Sequence, residues 1–163
     1  MYFKQLPLLL YTIGGTQKLV TNILTRITVD STMESSVYVY DEYMVTDGET
    51  PESVAYDFYG DPQYHWIIML CNNIIYPWEQ WAVSTDTVNE LSLNKYGVEN
   101  LYSIHHYVNS DGFVVNVGNG AAPVSNYDYE INENDAKRSI KILNPQLLNS
   151  FVIQFNSLIQ ATI

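Results

Sequence analysis

A single cysteine in 163 residues, Cys71, leaves no partner for an internal disulfide. It lies among apolar residues and reads as a buried thiol. Cations are scarce as well: Lys and Arg number 7 against 18 Asp and Glu, a net charge of −11. Phosphate backbones and anionic membranes are bound by clustered Lys and Arg, so neither nucleic acid nor membrane is expected as a partner. Long apolar runs are missing. The run at residues 6–13 is broken by Pro7 and preceded only by Lys4. It is too short to span a bilayer and makes a poor signal sequence, so the expectation is synthesis in a cytoplasm. Phosphate loops, dinucleotide fingerprints and nucleophile elbows are absent too; Gly14-Gly15 and the later GNG make none of them.

Three histidines offer little acid–base or metal chemistry. His105 and His106 are adjacent in a predicted strand, where successive side chains point to opposite faces and do not share an ion. His65 sits between Tyr64 and Trp66 as a packing residue. No ligand pair at i, i+4 supports zinc. Asp47, Glu49, Glu52, Asp57 and Asp61 cluster at turns and helix starts, where carboxylates stabilise the helix dipole; a glycosidase pair would face across a cleft. No catalytic residue, cofactor, metal or small-molecule substrate is expected.

What the chain does have is tyrosine, fourteen of them, in a composition 47 % apolar and 15 % charged. Tyrosine joins a large apolar ring to a polar tip, which suits both strands and surfaces half-buried against a partner. The clearest local signals lie in DGETPESVAYDFYGDPQYHWIIMLCNN, residues 47–73. Gly48 allows a tight turn. Thr50 caps a helix that begins at Pro51, presents Val54, Ala55 and Phe58 on one face, and stops at Gly60. Asp61 and Pro62 start a second helix with a stripe of Trp66, Met69 and Leu70, ended by Asn72-Asn73. A strand carrying Tyr43 and Val45 precedes the pair.

Residues 1–40 read as an extended arm without its own core, and the spacing of Leu19, Val20, Ile23 and Leu24 predicts a short helix at residues 17–24. IIYPWEQWAVS reads as extended. Ser84 caps a third helix, with Asp86 in its first turn and Val88 and Leu91 facing inward, closing at Gly97. LYSIHHYVNSDGFVVNV reads as a hairpin turning at Asp111-Gly112, GNGAAPVSN as a loop and RSIKIL as a strand. Asn144-Pro145 opens an amphipathic helix with Leu148, Phe151, Val152, Phe155 and Leu158 on one stripe. The expected class is α+β. Its parts are an N-terminal arm (1–40), a strand–helix–helix core (41–82) and a hairpin-plus-helix extension (83–163). Lys137, Arg138 and Lys141 form a basic cluster that reads equally as a solvated strand edge or as a docking patch for an acidic neighbour.

YMVTDGETPESVAYDFYG…HWIIMLCNNI resembles the LysM pattern of a strand, an Asp-Gly turn and two short helices. With PWEQW, the helix ending in KYG, HHY, NENDAKRSIKILNP and RITVD near the start, the chain is similar to the baseplate wedge protein family of T4-type contractile-tailed phages, the gene-product-fifty-three family. The resemblance implies a LysM-like core with extended arms and a non-enzymatic structural role. It implies a place in the virion tail baseplate, with other wedge subunits as partners in a six-fold assembly and hub or sheath-initiator proteins as further candidates. A core of about 40 residues is marginal alone, so burial against other subunits would stabilise it. Tyr43, Trp66, Trp78 and Trp81 are read as core or interface anchors, and Lys137, Arg138, Lys141, Phe151 and Phe155 are the further residues assigned to such interfaces. The alternative is a LysM-type module binding peptidoglycan or chitin beside Gly48-Glu49-Thr50 and Asn72-Asn73-Ile74.

Overall fold

The computed structural model describes residues 6–22, 39–118 and 120–161. RITVD and most of the arm before residue 39 lie outside them. In chain order the elements are β1 (Leu8–Ile13), β2 (Thr16–Thr21), β3 (Tyr40–Met44), α1 (Pro51–Tyr59), a 3-10 turn (Pro62–Tyr64) leading into α2 (His65–Cys71), α3 (Pro77–Gln80), α4 (Thr85–Asn100), β4 (Ile104–Val108), β5 (Val114–Val115), β6 (Ala122–Ser125), α5 (Asn126–Ala136), β7 (Ser139–Leu143), a second 3-10 turn (Pro145–Leu147) and α6 (Leu148–Ala161). The fold is α+β, with strands paired β1-β2, β3-β7 and β5-β4-β6. Two compact units interleave along the chain: one of residues 1–43, 50–75 and 141–163, the other of residues 44–49 and 76–140.

Local chemistry sets the helices of the first unit. Thr50 Oγ1 accepts from Ser53 N at 3.2 Å while Ser53 Oγ accepts from Thr50 N at 2.9 Å, a reciprocal cap that satisfies two otherwise orphaned donors. Gly60 ends α1 in the left-handed region (φ 75°), which spares a Cβ clash. Asp61 Oδ1 accepts from Gln63 N at 2.8 Å and starts the 3-10 turn that tightens the entry to α2. The buried positions of α2 are Trp66, Ile67, Ile68 and Cys71; Met69 and Leu70, expected in the stripe, are only half-buried.

The strand that closes the small sheet with β3 is β7, which follows α2 only after the whole span 72–138. Around these elements a core forms from Leu6, Tyr40, Trp66, Ile67, Cys71, Leu143, Phe155 and Ile159. The arm therefore contributes Leu6 to a core. Of the helix expected at residues 17–24, the described part is strand: Thr16–Thr21 pairs with β1 in six consecutive cross-strand pairs, and those hydrogen bonds outweigh a weak helical spacing. In α6 the inward stripe runs Leu148, Phe151, Val152, Phe155 and Ile159, a spacing of three and four, and Leu158 is 54 % exposed.

In the second unit, Ser84 caps α4 through Thr87 N, and Val88 and Ser92 are its buried residues. Leu91 points outward, 58 % exposed. Gly97 (φ 72°) breaks the helical backbone, after which the chain resumes a last turn to Asn100. Helix α5 answers no apolar period, since its one buried residue is Asn134; it packs on α4 through polar pairs. Tyr127 Oη meets Asn89 Oδ1 at 2.7 Å, and Glu130 Oε1 accepts from Lys95 Nζ at 2.6 Å and Tyr96 Oη at 2.8 Å. The hairpin at residues 104–115 is present, and AAPVS, expected as loop, supplies β6 on the other side of β4.

Candidate interaction surfaces

The site with the clearest construction is the segment IYPWEQW. It is not extended. Pro77, with its missing N–H, occupies the first turn of α3, Tyr76 N donates to Gln80 Oε1 at 2.7 Å, and Trp81 N closes the turn on Pro77 O at 2.9 Å. Trp81 is buried (6 % exposed), and its indole N–H donates to Glu49 O at 2.8 Å. One tryptophan thus fastens the short helix, and the other, Trp78, is left outside with 72 % of its surface in solvent. Tyr76 lies beside it, half exposed, with ring centroids 5.6 Å apart. A large rigid aromatic on a fixed mount loses little conformational entropy on contact and gains much buried area, the usual make-up of an interface anchor.

The other residues assigned to interfaces divide. Trp66 and Phe155 are buried in the first unit's core, ring centroids 4.5 Å apart, with Phe151 at 6.4 Å from Trp66. Trp66, Phe155 and Trp81 thus pack inside the chain, with 6 %, 4 % and 6 % of their surface exposed. Tyr43 is half-buried and packs edge-on against Phe58 at 5.0 Å.

The basic cluster is not a free patch. Arg138 donates to Asp135 Oδ1 at 2.8 Å, Asp47 Oδ1 at 2.9 Å and Val45 O at 3.3 Å, and these carboxylates hold its guanidinium above its usual range. Asp47 in turn accepts from Thr85 N at 2.9 Å, so it is less a solvated turn residue than a knot tying residues 45–47, α4 and the end of α5. The Arg138 hydrogen bond, chiefly, holds its carboxyl below the usual range. Lys141 is exposed, with its main chain engaged by Asn72, and Lys137 is half-buried.

His105 and His106 do meet, contrary to the strand rule. Their pairing with β6 slips between Ile104 and His106, and this bulge brings the two Nδ1 atoms to 2.8 Å, with His105 stacked on Tyr129 at 4.0 Å. A bulge leaves no mark in single-sequence alternation. His65 Nδ1 lies 2.9 Å from Pro62 O. Among the described residues no group of three His, Cys, Asp or Glu is placed to hold a metal ion, and no helix is long and apolar enough to cross a membrane. A polar depression of about 250 Å³ is lined by Cys71, Asn72, Asn73 and Lys141, below the ~300–1,000 Å³ of typical ligand pockets.

Residues 17–117 match the model of a family described as "Base plate wedge protein 53". The chain is also similar to "Baseplate wedge protein gp53" of Enterobacteria phage T4, 26 % identical over an alignment 134 residues long, with 68 % of each chain covered.

Proposed function

The chain belongs to the base plate wedge protein 53 family, and we propose that it acts as a non-catalytic connector in the virion tail, joining neighbouring wedge subunits around the hub in a six-fold ring. Other wedge subunits are its main partners, with hub or sheath-initiator proteins next, and it reaches them after synthesis in the host cytoplasm. The observation that carries this reading is the mounting of Trp78: a buried Trp81 and a proline-started turn hold an exposed aromatic pair in place. An aromatic pair mounted in this way offers another surface a ready anchor, since little side-chain freedom remains to be lost on contact.

Co-expression with the other wedge subunits tests the proposal. Trp78→Ala should leave the melting temperature of the free chain unchanged and reduce its recovery in the assembled wedge by tenfold or more. Recovery equal to wild type would remove Trp78 from the interface. Failure of the wild-type chain to enter the wedge at all would overturn the connector role.

The polar depression at Cys71, Asn72, Asn73 and Lys141 keeps a glycan-binding module as second reading. Asn72 spends its carboxamide on Ile68 O and on Lys141, which leaves few donors for a sugar. Retention of the purified chain on peptidoglycan would favour that reading over the connector.

A further inference from the structure

Strands β1 and β2 form a hairpin closed at Gly14-Gly15, with Leu8 opposite Thr21, Leu10 opposite Leu19 and Thr12 opposite Gln17. Asn22 N donates to Pro7 O at 2.7 Å, which fixes the alternation of the ladder. In an antiparallel pair every second couple exchanges hydrogen bonds, so the couples 9–20, 11–18 and 13–16 bond inward. The main-chain N–H and C=O of Leu8, Leu10 and Thr12 therefore point away from β2, and among the described residues β1 has no other strand beside it.

The side chains reinforce this. Leu8, Leu10 and Leu19 share one face and are 54 %, 64 % and 62 % exposed, and Tyr11 and Ile13 on the other face are 54 % and 55 % exposed. Natural edge strands are guarded by charge, by proline within the strand or by a bulge. Over Leu8–Ile13 there is no charged residue and no proline, and the six cross-strand pairs run without a slip. Lys18 is the only charged residue in the hairpin.

We propose that the outer edge of β1 accepts an extended strand from another baseplate protein, which completes a three-stranded sheet and covers Leu8 and Leu10. This rests on the connector role. The expected strand carries apolar side chains at alternate positions, because the acceptor face it must cover is aliphatic. A second copy of this chain is the poorer occupant, since two chains each of net charge −11 repel.

The test is amide hydrogen exchange on the full chain, free and within the co-expressed wedge, together with Leu10→Pro. That substitution removes an N–H which the hairpin itself does not use, and proline is tolerated at such an edge position. In the free chain the Leu8, Leu10 and Thr12 amides should exchange fast, while those of Leu9 and Tyr11 are protected. In the wedge the first three should slow by at least tenfold. Leu10→Pro should cut incorporation at least tenfold, with Leu9 and Tyr11 protection in the free chain retained. If the wild-type chain enters the wedge and its three outward amides exchange as before, the strand-acceptor inference fails and the connector role stands. If the chain does not enter the wedge, both fail. Concentration-dependent dimers abolished by Leu10→Pro, with normal incorporation, would give the edge to a second copy and overturn the assignment to a partner.

Discussion

The side-chain amide of Asn72 pairs with both main-chain polar groups of Lys141: Lys141 N donates to Asn72 Oδ1 at 2.7 Å, and Asn72 Nδ2 donates to Lys141 O at 2.7 Å. A carboxamide presents an N–H and a C=O side by side, as one residue of an antiparallel strand does, so Asn72 stands in for one residue of a neighbouring strand along β7. Asn134 does the same for Val83 in the other unit, accepting from Val83 N at 2.9 Å and donating to Val83 O at 3.0 Å. Each asparagine fixes a segment distant in sequence without supplying a strand.

Replacing Asn134 by Ala should therefore cost more than replacing Asn72. Asn134 is 5 % exposed, and its loss leaves the main-chain groups of Val83 without their partner, at about 1–3 kcal/mol each. Asn72 is less buried, so water replaces part of what is lost, and about 1–2 kcal/mol is expected. Lys141→Ala should stay within about 0.5 kcal/mol, because the clasp uses its backbone. Urea unfolding of the three variants would show the order, and equal costs for Lys141→Ala and Asn72→Ala would refute the main-chain account.

The parts of this fold legible in sequence are those encoded within a few residues. Thr50-Pro51, Asp61-Pro62, Ser84 and Asn144-Pro145 mark starts, and Gly60 and Asp111-Gly112 mark reversals, because each acts through a local hydrogen bond or a backbone preference. What escaped depends on partners far along the chain. Nothing local says that β7 closes the sheet with β3, or that α6 covers Trp66. Helix α5 has no apolar stripe to mark it, because its one buried residue is Asn134, though Ser125 and Asp128 form a capping box that announces its start. Composition treats Trp78, Trp66, Trp81 and Phe155 alike, and single-sequence pattern has no means of telling the exposed ring of Trp78 from the buried rings of the other three.

Phe155→Ala should act on stability before it acts on assembly. The ring is 4 % exposed and rests on Trp66 at 4.5 Å, so its removal opens a cavity in the first unit's core. A loss of about 3–5 kcal/mol is expected from such truncations, and Phe151→Ala, only half-buried, should cost less. Thermal unfolding followed by near-ultraviolet circular dichroism would report the loss at Trp66. A Phe155→Ala chain that melts like wild type yet fails to assemble would return this residue to the interface.

Ser92→Ala should stabilise the protein. Ser92 is 1 % exposed within α4, and its Oγ has no hydrogen-bond partner among the described residues. An unpaired buried hydroxyl carries a desolvation penalty, and alanine is the better helix former. The combined gain of about 1 kcal/mol corresponds to a rise in melting temperature of about 2–4 °C. A drop in melting temperature would mean that the hydroxyl is satisfied after all.

Acid should loosen the knot at Asp47. Its carboxyl is held below the usual range first by the Arg138 hydrogen bond and then by Thr85 N. A carboxyl lowered by folding contributes stability that is fully present above its unfolded value near pH ~4 and is lost as pH falls through the folded value. Glu130 titrates the same way: burial pulls it up, but the hydrogen bonds from Lys95 and Tyr96 outweigh that and leave it lowered. Urea midpoints measured from pH 7 to pH 2 should be flat to about pH 4 and then fall. Asp47→Asn should flatten part of that fall, and Asp47→Asn with Glu130→Gln should flatten more. If the single variant kept the full wild-type slope below pH ~4, the acid sensitivity would lie in carboxylates other than the one that binds Arg138.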